Sequence, residues 1–246
     1  MSISRQVSEG IAEVVIDVPP VNALNVQSWF DLADAMTAAG GDPEVRVAIL
    51  RAEGRGFCAG VDIKELQADP DAIVGVNRGC AAAFAAVYDC AVPVIAAVHG
   101  FCLGGGVGLA GNADVIVATD DATFGLPEVD RGALGAATHL ARLVPQHRMR
   151  YLMYTGETVT AQELHGYGSV LRVVPPAELL GVTREVAATI AAKHPTIIRR
   201  AKESLNGIDP VDVKRSYRFE QGFTFELNAT DVAREVRGTF LDDRES

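Results

Sequence analysis

Val92-Pro-Val-Ile-Ala-Ala-Val-His-Gly-Phe-Cys-Leu-Gly-Gly-Gly-Val-Gly108 is the stretch that decides the architecture. Its first half, over 92–98, has the length and branched apolar content of a buried strand. Its second half is the densest glycine cluster of the chain and reads as a turn. The same plan occurs upstream, where Val47-Ala-Ile-Leu50 reads as a buried strand and Gly54-Arg-Gly-Phe-Cys-Ala-Gly60 as its turn. Working outward, 11–17 is β-rich and stops at Pro19-Pro20. Asn25 can cap a helix whose apolar positions Phe30, Leu32, Ala33 and Met36 lead to Gly40-Gly41. A helical run covers 74–90, and a third strand follows the glycine cluster over 114–119. Beyond it, helices are expected over 138–142, 148–155, 161–166, 176–193, 196–205 and, with breaks, 211–240, with one short strand at 169–174. Strands alternating with helices argue for an α/β core with a helical C-terminal third. A boundary near Asp209-Pro210 divides a core, residues 1–208, from an arm, residues 209–246.

The 246 residues are 48% hydrophobic and 22% charged, enough apolar material for one large core. The net charge of −10 disfavours a general nucleic-acid binder. The charge is uneven, because residues 145–218 hold 11 Lys and Arg against 7 Asp and Glu, so an anionic ligand can still meet a basic stretch. The four cysteines, Cys58, Cys80, Cys90 and Cys102, form no C-x-x-C and read as reduced thiols of a cytoplasmic protein. The start lacks a signal-peptide core. The one stretch that could mimic a membrane span, 90–113, carries no Asp, Glu, Lys or Arg but is too polar and too broken by glycine to span lipid.

No G-x-S-x-G elbow, Walker lysine, H-E-x-x-H or C-x-x-C is present, and the five histidines are scattered singly, so no metal site is expected. Gly106-Val-Gly108-Leu-Ala-Gly111 formally matches a dinucleotide fingerprint, but it does not directly follow a strand as that fingerprint requires. The two glycine turns admit two readings. They are either ordinary tight turns or neighbouring turns at the carboxyl ends of adjacent strands. In the second case they aim two backbone N–H donors at one oxygen, an oxyanion hole that needs no particular side chain.

Five segments together resemble the crotonase (enoyl-CoA hydratase/isomerase) superfamily, in order and spacing over essentially the whole chain. They are Pro20-Val-Asn-Ala-Leu24, Gly56-Phe-Cys-Ala-Gly-Val-Asp-Ile-Lys-Glu65, Pro93-Val-Ile-Ala-Ala-Val-His-Gly100, Gly104-Gly-Gly-Val-Gly108 and Phe124-Gly-Leu-Pro-Glu128. The resemblance implies a crotonase (ClpP/crotonase-like) spiral fold of ββα units. It also implies an acyl-CoA substrate whose thioester carbonyl is held by the N–H groups of Val61 and Gly105. Ala59, Gly60, Asp62, Ile63 and Lys64 would lie along the bound acyl-CoA, with Asp62 better read as a structural acceptor than as an acid–base group. Arg55 and Lys64 would approach coenzyme A phosphates or remain solvated. Coenzyme A enters as part of the substrate, and no other cofactor is implied. The family's terminal helices imply a homotrimer or a dimer of trimers, and Trp29, Tyr217, Phe219, Phe223 and Phe225 read as core or subunit interface.

Hydratases of that family use two glutamates. One maps onto Glu128 and the other onto Gly108, which has no side chain. Enolate stabilisation with one carboxylate suits an isomerase, or a hydrolase that cleaves a carbon–carbon bond beside a carbonyl. Residues 129–139 depart from the common pattern and bring Asp130, Arg131 and His139. Any of these could replace the missing acid or bind a substrate carboxylate; equally, Asp130 and Arg131 could form a surface ion pair and His139 could cap or pack on its helix. That segment, with Arg142-Leu-Val-Pro-Gln-His147 and Phe219-Glu-Gln-Gly-Phe-Thr-Phe-Glu-Leu227, resembles one subgroup more closely: the actinobacterial acyl-CoA hydrolases that open the last rings of steroids. The alternatives are an enoyl-CoA isomerase or hydratase of fatty-acid oxidation, an NAD-binding protein and a non-catalytic CoA-binding homologue.

Overall fold

The computed structural model describes residues 2–242; Met1 and residues 243–246, the outer ends of the two expected units, lie outside the described residues. The chain begins with a hairpin of β1 (Ser2–Ser8) and β2 (Ile11–Asp17), turned by Glu9 and Gly10 at φ of +53° and +77°. Two positive φ values match the turn that twists with its strands. There follow β3 (Ala23–Leu24), α1 (Val26–Gly41), β4 (Val47–Ala52), β5 (Gly60–Val61), α2 (Ile63–Ala68) and α3 (Ala72–Tyr88). The middle holds β6 (Val94–Val98), β7 (Phe101–Leu103), α4 (Gly105–Ala110), β8 (Val115–Thr119), β9 (Thr123–Gly125) and α5 (Ala137–Leu140). Next come α6 (Gln146–Thr155), β10 (Thr158–Thr160), α7 (Ala161–Tyr167), β11 (Arg172–Val174), α8 (Leu179–Ala191), α9 (Pro195–Gly207), α10 (Val213–Asn228) and α11 (Asp231–Asp242).

Six strands form the main sheet in the order β1-β2-β4-β6-β8-β11, parallel except for the hairpin. Its apolar runs are continuous because both faces are covered. Ala48, Leu50, Val94, Ala96 and Val98 point into the large core shared with α1, α3 and α4. Val47, Ile49, Ile95, Ala97 and Val117 point the other way, against Leu179, Ala187 and Ala191 of α8. Burying one such large aliphatic side chain stabilises the fold by about 1.5–3 kcal/mol. A three-stranded sheet, β10-β9-β7, and the two-residue pair β3-β5 stand beside this layer. The buried Lys202 ammonium binds both carboxylate oxygens of Asp114, at 2.7 and 2.8 Å, which ties α9 to the start of β8.

Several expectations are corrected in detail. The glycine cluster becomes helix α4 rather than a turn, entered through Gly104 at φ +54°. The 176–193 stretch opens as a 3-10 turn, Pro176–Glu178, before α8 begins, because proline in the first turn needs no N–H partner. Asn25 caps α1 as expected, its side chain accepting from the Ser28 N–H at 2.9 Å. The terminal helices fold back over the core: α10 lies against α3 and α5, and α11 against α2 and the 3-10 turn Pro127–Arg131.

Candidate active site

Asn22 builds the first wall. Its Oδ1 accepts from Val18 N at 2.8 Å, and its Nδ2 donates to the carbonyls of Glu53 and Gly56 at 2.8 and 2.9 Å. One buried side chain thus joins the segment before β3 to the glycine turn after β4. The Asp62 N–H then donates to the Leu24 carbonyl at 2.9 Å. Successive N–H groups of an extended strand alternate in direction, so the Val61 N–H points away from β3. Gly60, at φ +91°, runs against the second turn: a Cβ there would lie 3.0 Å from Gly105 N and 3.1 Å from Leu103 O. Only glycine combines that φ with that approach. Gly105 opens α4, where the first N–H groups have no partner within the helix. Val61 and Gly105 line one cavity together with Ala59, Ile63, Glu128 and Arg131.

Glu128 follows Pro127 in the 3-10 turn, and its Oε1 lies directly over the Cα of Gly104, leaving no room for a side chain there. Its Oε2 is shielded from solvent and has no hydrogen-bond partner among the described residues. Burial pushes its pKa up to about 8; the Arg131 guanidinium pulls in the opposite direction, and the Glu220 carboxylate adds to the rise. Among the described residues it is the one carboxylate lining the cavity.

The side of the cavity beneath Gly108 is filled by Phe84. A Cβ on Gly108 would come within 2.6 Å of Cε1 and Cε2 of that ring, and closer still to Cζ. Phe84 is fixed by edge contacts to Trp29 and His139 and by Tyr217, with centroids 5.6, 4.9 and 5.1 Å away. His139 is 1% exposed and stands behind this ring, in a cleft shared with Phe84 and Tyr217 rather than in the cavity lined by Glu128. The Asn112 Nδ2 lies 3.0 Å from its Nδ1 and also donates to the Gly108 carbonyl, and burial lowers the imidazole pKa to about 3. It is therefore neutral.

The other residues singled out in the sequence divide cleanly. Arg131 lines the cavity with its guanidinium 4.8 Å over the Phe240 ring. Asp130 is exposed and packs its carboxylate over Gly156. Asp62 caps α2 through the Lys64 N–H at 3.0 Å, and Lys64 and Arg55 are exposed. Neither Lys64 nor Asp130 belongs to the cavity wall. Trp29 is core, with its ring under Gly105, whereas Phe219 and Phe223 stack against each other at the surface. Phe84, Asn77, Asn228 and Arg237 also line the cavity or its floor, and no motif in the sequence pointed to them.

The dinucleotide fingerprint has no room to act. Gly106, Gly108 and Gly111 are buried within or at the end of α4, and their Cα faces meet Cys58, Phe84 and His139. A pyrophosphate needs those faces open. All four cysteines are unpaired and buried. Among the described residues no group of three or more His, Cys, Asp or Glu side chains is arranged to hold a metal ion, and no helix is long and apolar enough to cross a membrane.

A sequence profile described as enoyl-CoA hydratase/isomerase matches residues 6–245. A Rhodococcus jostii protein named (7aS)-7a-methyl-1,5-dioxo-2,3,5,6,7,7a-hexahydro-1H-indene-carboxyl-CoA hydrolase is 66% identical over 95% of this chain and 92% of its own length. The protein of the same name from Mycobacterium tuberculosis is 62% identical over 94% of this chain and 95% of its own length. Among solved structures, an enoyl-CoA hydratase/isomerase from Xanthobacter autotrophicus superposes with a TM-score of 0.88 at 27% identity, covering 98% of this chain and 91% of that one.

Proposed function

Since this chain belongs to the enoyl-CoA hydratase/isomerase family and has the crotonase fold, we propose that it hydrolyses a ring carbon–carbon bond of a cyclic keto acyl-CoA in steroid degradation. The identity with the two hydrolases supports the substrate class. The observation that carries the reaction is the Phe84 ring against Gly108, which leaves Glu128 as the cavity's carboxylate. Syn hydration of a linear enoyl thioester uses two carboxylates, and here aromatic carbon fills the place of one.

In this reading the thioester carbonyl accepts from the N–H groups of Val61 and Gly105. Water adds to the ring ketone, the bond from that carbon to its neighbour breaks, and the electron pair passes into a dienolate conjugated with the thioester. The two N–H donors stabilise that charge, and one such donor contributes about 10²–10³ in rate. The carbanion needs one proton and the attacking water must lose one. A single carboxylate, Glu128, can take it from water and deliver it to carbon, with its pKa raised by burial to about 8. Coenzyme A remains on the product. Phe219 and Phe223, 72% and 47% exposed, supply an apolar face for the trimer or dimer of trimers, which molar mass in solution checks. The test of function is turnover: the purified protein should open the ring of the keto acyl-CoA named for its relatives and leave crotonyl-CoA unhydrated. Efficient hydration of crotonyl-CoA without ring opening would overturn the proposal.

A further inference from the structure

Arg237 of α11 is 2% exposed, yet among the described residues its Nε and Nη2 have no hydrogen-bond partner, and its one bond runs from Nη1 to the neutral Asn228 Oδ1 at 2.6 Å. Asn228 is itself held, its Nδ2 donating to the Pro70 carbonyl at 3.2 Å. An ionised guanidinium removed from water without an anionic partner is costly, and proteins normally pair it. Arg237, Asn228 and Arg131 all line the cavity that holds Val61, Gly105 and Glu128. Asn77, 4% exposed, adds an Nδ2 that likewise has no hydrogen-bond partner among the described residues. The wall of an acyl cavity thus carries, in Arg237, a buried guanidinium whose one hydrogen bond among the described residues is to a neutral amide. A plain hydrocarbon chain would leave the Arg237 charge without an anionic partner.

Hydrolysis of a ring ketone creates the matching group. Water contributes OH to the carbonyl carbon and H to the departing carbon, with no change of oxidation state overall, and the new carboxylic acid ionises. We propose that Arg237, oriented by Asn228, binds the carboxylate that ring opening generates, so that the cavity selects acyl-CoAs bearing a carboxylate distal to the thioester. The origin of that carboxylate rests on the hydrolase reading, but the binding site can be tested without turnover.

Calorimetric titration of the full chain with ω-carboxyacyl-CoAs, from succinyl-CoA to suberoyl-CoA, against the straight acyl-CoA of equal length gives the readout. A charge-assisted pair at a buried site predicts a preference of about tenfold or more for the carboxylated ligand at the chain length that reaches Arg237. Arg237→Gln should abolish the preference while retaining straight-chain binding, and Arg237→Lys, which keeps the charge, should retain part of it. Absence of any preference in the unmodified protein overturns the proposal without recourse to a variant. An undiminished preference in the glutamine variant, or in Arg237→Met if the first does not fold, also overturns it by moving the anion site elsewhere. Ring turnover without the preference removes the subsite alone; the preference without ring turnover removes the hydrolase reading alone.

Discussion

Glu128 holds its proton near neutral pH because burial raises its pKa to about 8, and this has two consequences. The ionised form is the one that can accept a proton from water, so kcat/KM for ring opening should rise with pH to an apparent pKa near 8. Glu128→Gln should keep acyl-CoA affinity and lose about 10²–10⁴ in kcat. Near-normal turnover in that variant, with Asp130→Asn inactive, would move the chemistry to the 129–139 segment. The second consequence is for stability. Between pH 4.5 and about 8 the folded protein keeps a proton that the unfolded chain releases, so this group's contribution falls as pH rises through that window. Thermal unfolding should show Glu128→Gln gaining on the parent protein between pH 5 and pH 8. Gly108 supplies a separate test. Gly108→Glu drives Cβ into the Phe84 ring and should cost about 1–3 kcal/mol or more. Adding Phe84→Ala should cost less than the two single changes combined, whereas strict additivity in a double-mutant cycle would contradict the packing described. At this scale the motifs made Glu128, Val61 and Gly105 legible. They left Phe84 and Arg237 silent, because Phe84 acts through Gly108 on another helix and Arg237 reaches the cavity only through the packing of α11 against the 3-10 turn.

Strands β4, β6 and β8 could be read from their apolar runs because helices cover both faces of the sheet. The pair β3-β5 has two residues per strand, and β7, β9 and β10 have three each, too few for any periodicity to register. Yet β5 carries Val61, so the element that matters most to the proposed chemistry is the least visible in the sequence. The register of Leu24 with Val61, fixed by the Asp62 N–H on the Leu24 carbonyl, turns the Val61 N–H away from its partner strand. Val61→Ala should therefore be tolerated. Val61→Pro removes the donor without removing a ladder bond, and should reduce kcat by about 10²–10³. Steady-state kinetics with the ring-bearing substrate decides this, and equal rates in the two variants would exclude the Val61 N–H from the mechanism.

The whole molecule is acidic, with a net charge of −10, while its cavity presents two guanidinium groups. The basic excess over residues 145–218 left room for an anionic ligand, but that stretch contains neither Arg131 nor Arg237, so charge counting did not locate the site. The terminal helices were legible as helices, but not as the cover of the cavity. Arg237 and Glu128 are more than a hundred positions apart, and only tertiary packing sets α11 against the 3-10 turn that carries the glutamate. In the proposed reaction water enters the ring while the thioester survives. Mass spectrometry of the product formed from the cyclic keto acyl-CoA in ¹⁸O-labelled water tests it most directly. Ring hydrolysis yields an acyl-CoA with its thioester intact, one labelled oxygen in a new carboxylate and an opened ring. Free coenzyme A with the label in the acid it released, or a labelled hydroxyl on an unopened ring, would contradict it.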